Sequence, residues 1–541
     1  MTDDRIGRAS VFLASGTIVS RILGFVKTAL LAAVIGASGA GANAFAAANQ
    51  LPNTIYVVVA GGVLSAVLVP LIVRSASHAD GGTAYINKLI TLGLVILGAA
   101  ATIATLLTPL LTLLIGSRME SGVFWLAVAF GYWCLPQIFF YGMYSLLGEV
   151  LNAKRVFGPF TWVPVLNNVV ALAGLGIFAL AFGVDPTGTA WQAEDWNPAM
   201  IAVLAGSATL GVAAQALVLF VFWRRAGLRY RPDFGWRGVG LRSTAGLAGW
   251  TFGMLLLSTV AGFVETSVVG VSAASADEAS IMVQQTAWLI FMLPHSVITV
   301  SIATAYFTRM SEHAALGALD RVRADLSSAV RAITMIVLVA AAVLMVCAYP
   351  FARVFTPVEP LIWSMGHVIM AYVIGLVGFS VLFVVQRTFY SMHDTKTPFF
   401  FTLIQVSVFI AGALACIALP SSEVVFGIAL VTTIAGTIQL IAALVLLRRR
   451  LGTLDGRRIA GAFVRALAAL VVPVAAGITL LFALGGTEGD GFALSGIFPA
   501  IISMAIIGAV MAVLYFAGLW LLRSPELRGF AEPLIRRLRR G

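Results

Sequence analysis

The chain has 541 residues, 60% hydrophobic and only 11% charged, with 34 Lys and Arg against 23 Asp and Glu and a net charge of +11. Soluble domains are about 45–50% apolar and about 25% charged, so a water-soluble multidomain enzyme, a disordered chain and a secreted disulfide scaffold are all excluded. The positive balance fits an excess of Lys and Arg on the cytoplasmic side of membrane spans better than a nucleic-acid partner.

A spanning helix needs about 20 mostly apolar residues. Fourteen such segments follow one another, near 10–36, 43–74, 84–116, 121–152, 159–184, 198–225, 238–274, 279–310, 322–355, 359–392, 397–420, 423–448, 458–485 and 492–523. Residues 1–10 lack the apolar core of a cleavable signal peptide, so the first segment is expected to be retained. The runs are continuous and not alternating, which argues against a closed barrel. The expected fold is an all-α polytopic membrane protein.

Odd-to-even crossing from a cytoplasmic N-terminus puts 30 of the 34 Lys and Arg on the cytoplasmic side. Arg118 and Arg353 fall outside, and Arg21 and Lys27 lie within the first span. A missed span in the middle would scramble that asymmetry, so both termini are expected inside. The outer loops are short and acidic (Asp185, Glu194 and Asp195; Asp277 and Glu278; Glu488 and Asp490), too small for an external catalytic domain. Cys134, Cys347 and Cys416 sit in apolar stretches and read as small core residues.

Two anchors suggest an internal repeat. Pro52 and Pro294 are 242 residues apart, and Pro159 and Pro398 are 239 apart. The implied division is a six-helix lobe over 1–230, a second over 231–452, two further spans over 453–523 and a basic tail over 524–541. Halves with an even number of spans insert in the same orientation and are related by an axis along the membrane normal. The basic tail is expected to lie on anionic lipid.

Charge inside a bilayer is costly and faces a cavity or a partner. Arg21 has apolar helix on both sides, and Lys27 lies six residues on, about 9 Å along the axis. An arginine in a wet, low-dielectric cavity grips diphosphate bidentately, and pairing with Glu265 or snorkelling is the alternative. Glu265, deep in the seventh span, is a candidate cation or proton coupling site, or the counter-ion of Arg21. Asn49 and Asn53 share a face of the second span, with Asn43 and Gln50 nearby; they suit either a sugar or peptide headgroup or interhelical hydrogen bonds. Gln284 and Gln285 offer the same in the eighth span, and His295 stands where the first half has Asn53. Gly61, Gly62, Gly206 and Gly211 suit close helix packing. No P-loop, nucleophile elbow or metal-ligand spacing is present. Neither enzyme activity nor a bound cofactor is expected. The drive would be a monovalent cation gradient, the membrane potential, or consumption of the moved substrate.

Several of these motifs, in order, resemble the MurJ (MviN) lipid II flippases. They are Ser20-Arg21-Ile22-Leu23-Gly24-Phe25-Val26-Lys27, then Ala44-Phe45 with Leu51-Pro52-Asn53, and Gly62 through Val69-Pro70. Leu151-Asn152-Ala153 with Phe157, Pro159, Pro164 and Asn167 follows, then Phe389-Tyr390 with Thr395-Lys396-Thr397-Pro398. The resemblance implies a two-lobed exporter fold in the bacterial cytoplasmic membrane, working by alternating access. Its implied substrate is undecaprenyl-diphosphate disaccharide-pentapeptide, moved to the outer leaflet. Arg21 and Lys27 would engage the diphosphate, Asn49, Asn53, Gln284 and Gln285 the headgroup, and the last two spans the lipid tail. Membrane lipids and cell-wall synthesis proteins are the other partners it suggests. The chain departs from that family in having Lys27 where Arg is frequent and Asn43 where Asp is frequent. Rival readings are an exporter of another polyprenyl-linked glycan or of drugs, and a non-transporting scaffold for wall synthesis.

Overall fold

The computed structural model describes residues 3–59, 83–154, 156, 158–235 and 245–528. Among these residues there are helices and no strands, and thirteen helices are long and apolar enough to cross a membrane. They coincide with thirteen of the fourteen expected spans. The remaining one, 43–74, is described only over α2 (Ala40–Val59); Gly61, Gly62, Val69, Pro70 and Arg74 lie outside the described residues, as do Arg155, Phe157, Arg237, Arg242 and the tail from 529 on.

By contact the chain forms two compact units, 1–276 with 280–282, and 277–279 with 283–541. The repeat boundary at 230 concerns sequence offset. Packing assigns the following helix, Ala245–Val269, to the first unit.

The first unit comprises α1 (Asp3–Ile35), α2, α3 (Thr83–Leu106), α4 (Thr108–Gly116), α5 (Ser121–Cys134), α6 (Gln137–Ala153), α7 (Gly158–Phe182), α8 (Pro198–Arg225) and α9 (Ala245–Val269). Its core joins α3, α6, α7 and α8 through Leu89, Ile90, Leu97, Leu146, Leu147, Val163 and Trp223, with the Trp223 indole donating to the Leu147 carbonyl at 3.2 Å. Two expected single spans are broken helices. Pro109 follows the break between α3 and α4, and Pro136 occupies the one between α5 and α6, because proline has no N–H to continue the ladder. Asn197 caps α8, accepting from the Ala199 and Met200 amides at 3.0 Å each. At one end Asp185 is buried and organises its loop, accepting from Thr187, Gly188 and Ala190. That loop seats against the α1–α2 turn, where Gly39 has φ 102 and Gly188 φ 74, and a Cβ on either would strike the facing backbone.

Helices α7 and α8 approach closely at Gly211, where an added Cβ would lie 2.5 Å from the Asn167 side-chain oxygen and 2.9 Å from its carbonyl. The carbonyl belongs to the α7 backbone and cannot turn aside, so Gly211→Val is expected to destabilise by about 3 kcal/mol. Gly24→Ala, with nothing within 4 Å, should be neutral. Thermal unfolding in detergent checks the pair.

The second unit comprises α10 (Ile281–Pro294) from Val283 on, its first two residues counting with the first unit, then α11 (Val300–Ala315), α12 (Leu319–Val346), α13 (Ala348–Phe355), α14 (Glu359–Ile374), α15 (Leu376–Ser391), α16 (Lys396–Ala415), α17 (Ser421–Leu451), α18 (Gly456–Ala483) and α19 (Ile497–Leu521). Between α10 and α11 the chain widens into a π-helical turn at His295–Thr299, directly after Pro294. Most of α12 is buried. Met335 and Val339 pack on Ala466, Ala469, Tyr515 and Leu519 of α18 and α19, and the Tyr515 hydroxyl donates to the Met335 carbonyl at 2.8 Å. Arg353 donates to the Leu494 carbonyl at 2.6 Å, which engages one of the two arginines that the crossing count leaves on the minority side.

Glu526, just past α19, ties the chain end to two helices. Its carboxylate, 7% exposed, meets Arg331 of α12 at 3.1 Å and Arg465 of α18 at 3.4 Å. Burial alone would raise its pKa, but hydrogen bonds from its own backbone amide, Ser524 and Arg331, with the charge of Arg465, outweigh burial and hold it below 4.5. A carboxyl lower in the folded than the unfolded state stabilises above the unfolded value and loses that contribution as pH falls through the folded one. Glu526→Gln should therefore lower the unfolding midpoint at pH 7, with the gap to the parent closing below pH 4.5; a pH series of melting curves measures it.

Candidate functional site in the first unit

Apolar helices leave few groups able to hold a polar ligand, and in the first unit several converge. A cavity of ≈ 70 Å³ is lined by Lys27 of α1, Asn49 of α2, Gln137 and Tyr141 of α6, Asn167 of α7 and Ser207 of α8. No carboxylate lines it. Among the described residues Lys27 makes no ion pair. The walls are held by polar contacts. Gln137 donates to Asn49 Oδ1 at 3.2 Å and to Thr209 Oγ1 at 2.9 Å, and Thr209 donates to the Trp133 carbonyl at 2.7 Å. The Gln137 oxygen is buried without a hydrogen-bond partner. Lys27 is thus the one cation on a cavity wall whose other polar side chains are neutral.

Arg21 is not in this cavity. It lies on the exposed face of α1, with Ile18 50%, Ile22 58% and Val26 44% exposed around it. Beside it α1 is held to α7, where Asn168 donates to the Ser20 carbonyl at 2.9 Å. So α1 presents one cation into the unit and one on the face that the unit leaves uncovered. Their spacing of six residues sets the side chains about 120° apart, which allows both a shared cavity and this division.

The other expected residues are spread out. Asn49 joins Lys27, while Asn53, one turn further, is exposed. Asn43 is fully buried and used: its Nδ2 donates to the Ala273 carbonyl at 2.9 Å and to Ser38 Oγ at 3.3 Å, and its Oδ1 accepts from the Met282 amide at 3.0 Å. Of the two uses the sequence left open for Asn43, the structure shows the hydrogen-bonding one. Glu265 is half-buried on α9, in the first unit. Gln284 and Gln285 are half-buried in the second unit, where Gln284 donates to the Tyr372 hydroxyl at 3.3 Å. His295 is buried there, 3.2 Å from Ser380 Oγ, with its ring against Phe379 and Phe383. A second-unit cavity of ≈ 150 Å³ has Trp288, Phe291 and Tyr372 on its wall with Gln405 and Gln439, and no charge.

Comparison with known proteins then decides the class. The family model described as lipid II flippase MurJ matches residues 31–498. The chain belongs to the MurJ family. Among its relatives is a probable lipid II flippase MurJ of Vibrio cholerae serotype O1, 26% identical over 73% of this chain and 74% of the relative. Another, from Rhizobium tropici, is 25% identical over 81% and 80%. A solved lipid II flippase MurJ in an inward closed conformation shares the fold, with TM-score 0.70 and 18% identity over 94% of this chain and 99% of the other. An inward-facing multidrug resistance MATE transporter does so at TM-score 0.64 and 15% identity, covering 82% and 99%. The fold is therefore that of the MurJ and MATE transporters, an all-α polytopic architecture.

The MurJ match begins after Arg21 and Lys27, so these cations stand on their own geometry. Sequence reading missed Gln137, Tyr141 and Ser207 as companions of Lys27. The available signal was Gln137 itself, a polar side chain after Pro136 inside an apolar run. It also missed Glu149, a half-buried acid near the end of α6.

Proposed function

We propose that this chain carries lipid II, the undecaprenyl-diphosphate disaccharide-pentapeptide, from the cytoplasmic to the outer leaflet by alternating access, with both termini cytoplasmic. Membership of the MurJ family is the observation that carries this reading. In it, Arg21 on the uncovered face of α1 takes the diphosphate through its planar fork, and Lys27 supplies a second positive charge from within the first unit. Asn49, Asn53, Gln284 and Gln285 supply neutral hydrogen bonds to the headgroup. Helices α18 and α19 guide the lipid tail. No covalent step is involved: the residues bind, orient and release, and Glu265 balances or couples charge to a monovalent cation gradient or the membrane potential.

The orientation rests on the Lys and Arg count, which places 30 of 34 on one side. A cationic first span suits an anionic headgroup and disfavours a drug exporter, which would need cavity acids. The test is replacement of the resident flippase in a bacterial depletion strain. Cells carrying this chain should keep growing and keep lipid II accessible at the outer leaflet. Growth arrest with lipid II confined inside, from a chain present in the membrane at normal abundance, would refute the proposal.

A further inference from the structure

The second unit contains a larger cavity, of ≈ 660 Å³, that the reading above does not use. It lies among α12, α15, α17 and the start of α18. Its inner end is aliphatic, with Leu326, Val330 and Val385 buried, and Leu444, Leu454 and Ile459 continuing the wall. Arg448 and Arg457, both exposed, line the same cavity from the two sides of the α17–α18 connection. Among the described residues neither guanidinium makes an ion pair. No acid lines the cavity. Asp455 is nearby in sequence but engaged, accepting from Ser327 at 2.7 Å and pairing with Arg458 at 3.8 Å.

We propose that this cavity binds an anionic phospholipid, one acyl chain lying against the aliphatic wall and the phosphate held between Arg448 and Arg457. Two forks on an exposed mouth suit phosphate oxygens bidentately. The aliphatic interior suits an alkyl chain and not a peptide, whose backbone groups would go unsatisfied. Arg448, Arg449, Arg450, Arg457 and Arg458 crowd this connection, which marks it as cytoplasmic, the side whose leaflet carries anionic lipid. The inference is independent of what the protein transports.

The test is native mass spectrometry of the full chain after exchange into mixed phosphatidylglycerol and phosphatidylcholine. The parent should retain phosphatidylglycerol selectively. Arg448→Gln with Arg457→Gln should weaken retention about thirtyfold, whereas Arg449→Gln with Arg450→Gln, on exposed neighbours outside the cavity, should keep it. Val445→Trp, which fills the cavity from a side chain 47% exposed, should also lose the lipid without any change of charge. Free glycerol phosphate should not compete. Equal loss in both arginine pairs would reduce the site to diffuse surface charge and overturn the proposal. So would retention by Val445→Trp, equal retention of phosphatidylcholine, competition by glycerol phosphate alone, or preferential displacement by undecaprenyl phosphate.

Discussion

Arg21→Ala is expected to abolish lipid II flipping while leaving the protein folded and as abundant as the parent. Arg21 lies on a face of α1 that buries nothing within the first unit, so its removal creates no cavity. The change deletes a paired hydrogen-bonding fork to a diphosphate, worth about 3 kcal/mol and hence about a hundredfold in rate. Arg21→Lys keeps charge and loses the fork, and should fall in between. Flipping rates in reconstituted vesicles, normalised to folded protein by melting temperature, make the measurement. Full activity of Arg21→Ala would remove it from the mechanism.

The second large effect concerns Lys27 and has two opposed parts. An ammonium in a ≈ 70 Å³ cavity without a carboxylate is costly to the fold, because a desolvated charge without a counter-charge is unfavourable. Lys27→Met should therefore raise the melting temperature, by about 2 °C, and lower flipping, by about tenfold. Lys27→Arg should retain most activity. A purely structural lysine would behave in reverse, with lower stability and unchanged transport per folded molecule. The combination of gain in stability with loss of function is the usual mark of a group kept for its chemistry.

The spans were readable because bilayer thickness sets a length and demands apolar side chains over it. Interruptions within them were less so. Pro136 and Pro294 were visible as prolines, but whether the chain breaks, as at α5–α6, or widens into a π-turn, as at His295–Thr299, depends on neighbours. Lys27 was legible as a charge in an apolar run. Gln137, Tyr141 and Ser207 were not, because neutral polar side chains on helices far apart in sequence declare nothing about which of them meet. Asn43 shows the same ambiguity resolved the other way: an amide that suited either a ligand or a structural hydrogen bond is consumed by Ser38, Ala273 and Met282. The close approach of α7 and α8 at Gly211 was foreshadowed by its lack of a side chain, and the partner, Asn167, needed the structure.

The most direct test of the account is a leaflet-accessibility assay in proteoliposomes containing labelled lipid II. A second polyprenyl-diphosphate glycan and Arg21→Ala protein are run in parallel, with ion gradients and membrane potential imposed in turn. The account predicts that lipid II crosses with the parent chain, crosses faster than the second glycan, and stops with Arg21→Ala. No crossing by folded parent protein under any gradient or potential, or crossing that is indifferent to Arg21, would contradict it.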